Sequence, residues 1–126
     1  RLIQVHIAKE TCQVGLALHV NIAPVSGEEA SKWANADDRA VFEDLEAKFH
    51  PRLDAADWRS SMAQDVVKGR QTEIEYMNGY TVQRGREVGI PTPVSAAIVE
   101  VVKQIDAGTL KPDPSNVERV LDLAGL

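Results

Sequence analysis

A chain of 126 residues, 44% apolar and 26% charged with a formal net charge of −5, fits one domain and can bury a core without disulfides or metal. The negative balance argues against a general phosphate-backbone binder, which needs clustered Lys and Arg, and no apolar run approaches the roughly 20 residues of a membrane span. The single Cys12 cannot form an internal disulfide, which fits a reducing, cytoplasmic compartment. The chain starts at Arg1 in a helical pattern with no charged-then-apolar leader, and is expected to be a piece of a longer protein.

In chain order, residues 2–20 are dense in apolar positions, leaving Gln4, Lys9, Glu10 and Gln13 as a narrow wet stripe on a buried helix. Residues 21–27, with Pro24 and Gly27, mark a loop, within which Ser26 is positioned to cap a short helix through Trp33. Residues 37–50 show helical spacing of Ala40, Val41, Phe42, Leu45 and Phe49, with Asp37 and Asp38 at the favourable end and Pro51 as the stop. A short connection over 53–58 leads to a segment crowded with polar groups, SSMAQDVVKGRQTEIEYMNG.

Read as one helix, that segment would hold Ser61 and Glu73 about 18 Å apart, too far to share a small ligand. Gly69 weakens a helix, however, and Thr72-Glu73-Ile74-Glu75 has the form of a capping box. The pattern therefore predicts a break near residues 69–71, then a helix over 73–88 burying Ile74, Met77, Thr81, Gly85 and Val88 and stopping at Gly89. Thr92 followed by Pro93 starts a helix to Ala107 with Val94, Ala97, Ile98, Val101, Val102 and Ile105 inward, closed by Gly108. A last amphipathic helix from Ser115 carries Val117, Val120, Leu121, Leu123 and Leu126. Nothing alternates with period two, so the fold class is all-α, with six or seven helices on short loops.

The glycines make neither a GxGxxG nor a GKS/GKT loop, so the chain alone cannot build a dinucleotide-binding fold. His6, His19, His50 and Cys12 lack zinc spacings, and no metal is expected. Four positions stay open between structural and chemical roles. Glu73 is either a first-turn acid or a working carboxylate, and Ser61 is either a cap or a ligand contact. Asn78, beside Gly79, serves helix packing or a ligand, while Asp65 and Arg70 read as a solvated pair. Lys9 on a buried helix could donate a proton if burial tuned it, but Glu10 offers it a surface partner.

The stretch SSMAQDVVKGRQTEIEYMNGYTVQRGREVGIPTP resembles the C-terminal helical domain of ketopantoate reductases (2-dehydropantoate 2-reductases), a multi-helix domain of the 6-phosphogluconate dehydrogenase C-terminal-like type. The match is specific from Ser60 to roughly Lys103 and loose before it. The resemblance implies an NADPH-dependent 2-oxo acid reductase of pantothenate biosynthesis, whose absent N-terminal Rossmann domain holds the cofactor while residues 1–126 close over the substrate. It implies that Glu73 works at the nicotinamide and substrate end of the cleft, touching both, and that Ser61 hydrogen-bonds the substrate. It leaves a homodimer open.

The family's general acid is a lysine followed by asparagines at four and eight residues. After Lys9 this sequence has Gln13 and Ala17, and KETCQVGLALHVNI looks like the family's next helix, so the resemblance puts the proton donor upstream of Arg1. Trp58 replaces an asparagine that often contacts substrate, which opens a different 2-oxo acid as the substrate. A helical dimerisation or interaction module without chemistry is the competing reading.

Overall fold

The computed structural model describes residues 1–48 and 60–126. The expected stop at Pro51, the 53–58 connection, and Phe49, His50 and Trp58 lie outside the described residues. Among the described residues there are seven α-helices, one 3₁₀ turn and no strand: α1 (Leu2–Ala17), α2 (Ala30–Ala34), α3 (Arg39–Ala47), α4 (Ser61–Val67), the 3₁₀ turn (Ile74–Tyr76), α5 (Asn78–Val88), α6 (Pro93–Asp106) and α7 (Asn116–Ala124). The all-α expectation holds. The chain divides into two compact units, Arg1–Pro51 with Thr81–Thr92, and Arg52–Tyr80 with Pro93–Leu126.

In the first unit α1 packs on α2 and α3. Val5, Cys12, Ala30, Trp33, Ala36 and Leu45 form its core. Val5, Ala8 and Cys12 follow the three-to-four spacing that puts one face of α1 inward. Trp33 is fully buried, and its indole N–H donates to the Val25 carbonyl at 3.0 Å. A buried indole needs such a partner. Glu10, expected on the wet stripe, is instead only 1% exposed; the stripe is narrower than its polar residues suggest.

Two helix boundaries moved for local reasons. α1 ends at Ala17 rather than near Val20 because His19 takes a left-handed φ of 57°. His19 N–H then bonds Leu16 O at 3.0 Å and Val20 N–H bonds Gly15 O at 2.9 Å, the two bonds of a Schellman stop. Ser26 does not cap α2. With φ values of 52° and 79°, Ser26 and Gly27 form a tight turn that pairs Val25 with Glu28, and the helix begins only at Ala30. Asp38 does cap α3, accepting from Ala40 and Val41 N–H at 2.9 and 3.1 Å.

Ion pairs lace this unit. Lys32 reaches Glu28 at 2.9 Å and Asp44 at 2.7 Å, and Lys48 reaches Glu28 at 2.7 Å. Hydrogen bonds from Lys48 and Lys32 hold the Glu28 carboxyl below its usual range, and the bond from Lys32 does the same for Asp44. His6 stacks obliquely on Phe42 with ring centroids 5.2 Å apart, and burial pushes its pKa down, with Lys9 adding to the shift. Burial raises the Cys12 thiol, which makes it a poor nucleophile.

In the second unit α6 packs against α7 and the 3₁₀ turn. Val94, Ala97 and Val101 form the buried stripe of α6, joined among buried positions by Val120 and Ile74. The outward-facing surprise is α7, where Val117, Leu123 and Leu126 are each about half exposed.

Candidate functional site

The polar segment is broken, as expected, at Gly69. α4 stops at Val67, Gly69 adopts φ 66°, and its N–H and that of Arg70 bond back to Val66 O and Asp65 O at 3.1 and 2.8 Å. Gly is the residue that takes this left-handed position without strain, so the sequence itself sets the break. Arg70 and Asp65 thus meet through their backbones.

At the start of α4, Ser60 is the cap. Its hydroxyl accepts from Ala63 N–H at 3.2 Å. Ser61 is the first helical residue and is exposed. The cap role therefore belongs to Ser60 and not to Ser61.

Beyond the break the structure departs from the expected continuous helix. Residues 74–76 form a 3₁₀ turn, Met77 has φ −104° and ψ −100°, and α5 starts only at Asn78. Met77, expected inside, is 52% exposed because the turn rotates it off the apolar face. Glu73 is the residue before the 3₁₀ turn, with φ −90° and ψ 24°, rather than a first-turn residue of an α-helix. The capping box does not form either. Thr72 donates its hydroxyl to Asp106 at 2.7 Å and its N–H to both Asp106 oxygens at 3.2 Å, and Glu75 pairs with Lys103.

Those substitutes come from α6, more than 25 positions away, and so from tertiary packing. Two polar ties therefore clamp the 3₁₀ turn to the last turns of α6, and fully buried Ile74 sits between them. Glu73 stands in the middle of this clamp, exposed, with no side-chain partner among the described residues. A cleft of about 370 Å3 beside it is lined by Gln71, Thr72, Ile74, Glu75, Lys103 and Asp106. A neighbouring one of about 350 Å3 includes Arg70, Asp106 and Lys111. Neither cleft is lined by Ser61 or Glu73; both of these residues belong to the second unit.

Asn78 opens α5 half-buried, and Gly79 after it lets the 3₁₀ turn approach closely. A Cβ there would lie 3.3 Å from Ile74 O and 2.8 Å from a Glu75 oxygen. Lys9 takes a structural part. It pairs with Asp37 at 2.7 Å rather than with Glu10, and Gln13, one turn on, donates to Ala34 O at 2.8 Å. Together they fasten α1 to the C-terminal end of α2. A groove of about 530 Å3 lies in the first unit and is lined by apolar groups of Ile7, Ala8, Cys12, Val20 and Ile22. No acidic or basic side chain lines it, and burial raises the pKa of its one thiol, which makes that group a poor nucleophile.

The Thr72–Asp106 tie was missed from sequence. Its only signal was a carboxylate at the end of α6, where the helix dipole disfavours negative charge. No group of acidic, histidine or cysteine side chains suited to a metal occurs among the described residues.

Residues 3–106 match the family described as "Ketopantoate reductase PanE/ApbA C terminal". Among curated proteins, the chain is similar to the 2-dehydropantoate 2-reductase of Archaeoglobus fulgidus, 40% identical over 53 residues, which are 42% of this chain and 18% of that protein. The Vibrio cholerae protein of the same name is 45% identical over 47 residues, covering 37% and 16%. That of Escherichia coli O157:H7 is 38% identical over 78 residues, covering 57% and 26%. The chain thus spans about a quarter or less of the length of these relatives. No solved structure matches the chain significantly.

Proposed function

The chain belongs to the ketopantoate reductase family as its C-terminal helical domain, and on that premise we propose that it closes the substrate site of an NADPH-dependent 2-oxo acid reductase. The substrate we assign is 2-dehydropantoate, reduced to pantoate on the way to pantothenate, in the cytoplasm. The cofactor is held mainly by an N-terminal Rossmann domain, since this sequence has no glycine-rich phosphate loop.

The observation that carries the proposal is Glu73, an exposed carboxylate whose backbone is pinned on both sides while its side chain has no partner among the described residues. A carboxylate accepts hydrogen bonds and repels phosphate, so Glu73 fits the carboxamide end of a nicotinamide or a substrate hydroxyl and not the phosphates. NADPH, when bound, supplies the hydride. Glu73 orients the substrate or the lysine that protonates the alkoxide, a lysine we place outside this chain. Ser61, released from capping by Ser60, gives a neutral hydrogen bond to the oxo acid without adding charge.

The test is NADPH oxidation by the full-length protein with 2-dehydropantoate and a panel of branched 2-oxo acids. Glu73→Gln should lower turnover by about 10²-fold or more. Unchanged turnover in that variant, or no activity of the parent on any acid in the panel, would defeat the assignment.

A further inference from the structure

Asp106 ends α6, where its charge faces the negative end of the helix. That position is offset by Thr72, which brings both its N–H and its hydroxyl to this one carboxylate. The next residue is Glu73. Its carbonyl accepts from Tyr76 N–H at 2.9 Å, and the side chain after it, Ile74, is 1% exposed. The backbone at Glu73 is thus fixed before, at and after the residue, which leaves only its side-chain torsions free.

We propose that Asp106 is a positioning residue for Glu73, acting through Thr72; this rests on the role given to Glu73 above. Asp106 does not serve as a direct substrate contact. A second carboxylate facing an anionic oxo acid would repel it, and both Asp106 oxygens already accept from Thr72. Its effect is transmitted along one peptide unit. Without Asp106, Thr72 loses the acceptor for two donors, and the residue before Glu73 turns toward water to satisfy them. A displacement of the Glu73 carboxylate by about 1 Å costs on the order of 10²-fold in rate. The Glu75 pair with Lys103 holds the far side of the turn and cannot replace the lost tie, because it acts beyond buried Ile74.

The experiment measures kcat and KM of the full-length enzyme with NADPH and 2-dehydropantoate for Asp106→Ala, Thr72→Val, Thr72→Ser and Glu73→Gln, and for the double variant D106A/E73Q. D106A should lower kcat by about 30- to 100-fold with KM changed about threefold or less, and T72V, which keeps its N–H, by about 10-fold. T72S, which retains both donors, should stay within about threefold of the parent. In the double variant D106A should add about twofold or less to the loss from E73Q, since residues acting as one unit are not additive. A purely structural role would give additive losses instead. Should D106A fail to fold, T72V and T72S decide the matter. Parent-like kcat in D106A and T72V alongside a crippled E73Q overturns the positioning role alone, as does full additivity. Parent-like kcat in E73Q overturns the reading of Glu73 and the positioning role with it.

Discussion

Gly85 sits where α5 meets the first helix and the loop after it, and replacing it by alanine sets two terms of opposite sign against each other. A Cβ at this position would lie 2.8 Å from Ile90 O, 2.9 Å from Thr92 Cγ2 and 3.3 Å from Val14 Cγ2. In a free helix the change would stabilise by about 1 kcal/mol, the difference in propensity between Gly and Ala. Here the methyl group overpacks, at a typical cost of about 1–3 kcal/mol. The upper end applies, because the nearest atom is backbone and cannot swing aside like a side-chain tip. Ile90 is also tied back to Gly85 O by its own N–H at 2.9 Å. Moving the loop would give up part of that bond, worth about 1 kcal/mol.

The net expectation is a loss of about 2 kcal/mol, or about 8 °C in Tm for a chain of this size. Urea and thermal melts followed by far-ultraviolet circular dichroism measure it directly. Gln83→Ala on an exposed face of the same helix serves as the control and should stay within about 0.5 kcal/mol of the parent. A G85A chain as stable as the parent, or more so, would show that propensity wins and that the close approach has room to relax.

Ile74→Ala should cost about 2–5 kcal/mol in the same melts, since the side chain is 1% exposed and its removal leaves a cavity under the 3₁₀ turn. Stability should also fall in two stages as pH drops. The His6 pKa is lower folded than unfolded, so the unfolded chain binds more protons and the loss begins near pH 6.5 and is complete below the lowered folded value. Glu28, Asp37 and Asp44 are likewise depressed when folded. Their share is present above the ordinary carboxylate range and is lost as pH falls through it to the depressed values. A denaturation midpoint independent of pH between about 7 and 3 would contradict both assignments.

Much of the fold was legible because its signals are local. The Thr92-Pro93 start and the break at Gly69 each depend on one or two residues whose conformational preferences are strong. His19 is the instructive failure. Nothing local demands a left-handed histidine, and the chain adopts it to close the α1 terminus with two backbone bonds. Met77 failed for a related reason, since helical periodicity was extended through a segment that the structure breaks a second time.

The candidate site divides along the same line. Ser60 and Ser61 are interchangeable by residue type, and only the folded chain gives capping to Ser60. Thr72 and Glu75 were correctly singled out as groups needing partners, but the predicted reciprocal bonds gave way to Asp106 and Lys103. A capping box is worth about the same as any exposed pair of hydrogen bonds, so a charged acceptor brought in by tertiary packing displaces it.

The sequence by itself determined the helical class and the break after α4, and singled out Glu73 as a candidate carboxylate, because hydrophobic period, glycine and capping residues act within a few positions of themselves. Only the tertiary structure decided that Glu73 precedes a 3₁₀ turn, that its neighbours are clamped to the end of α6, and that Lys9 is spent on Asp37. Those outcomes depend on which distant acceptor or donor arrives at hydrogen-bonding distance. Packing sets that, and spacing along the chain does not encode it.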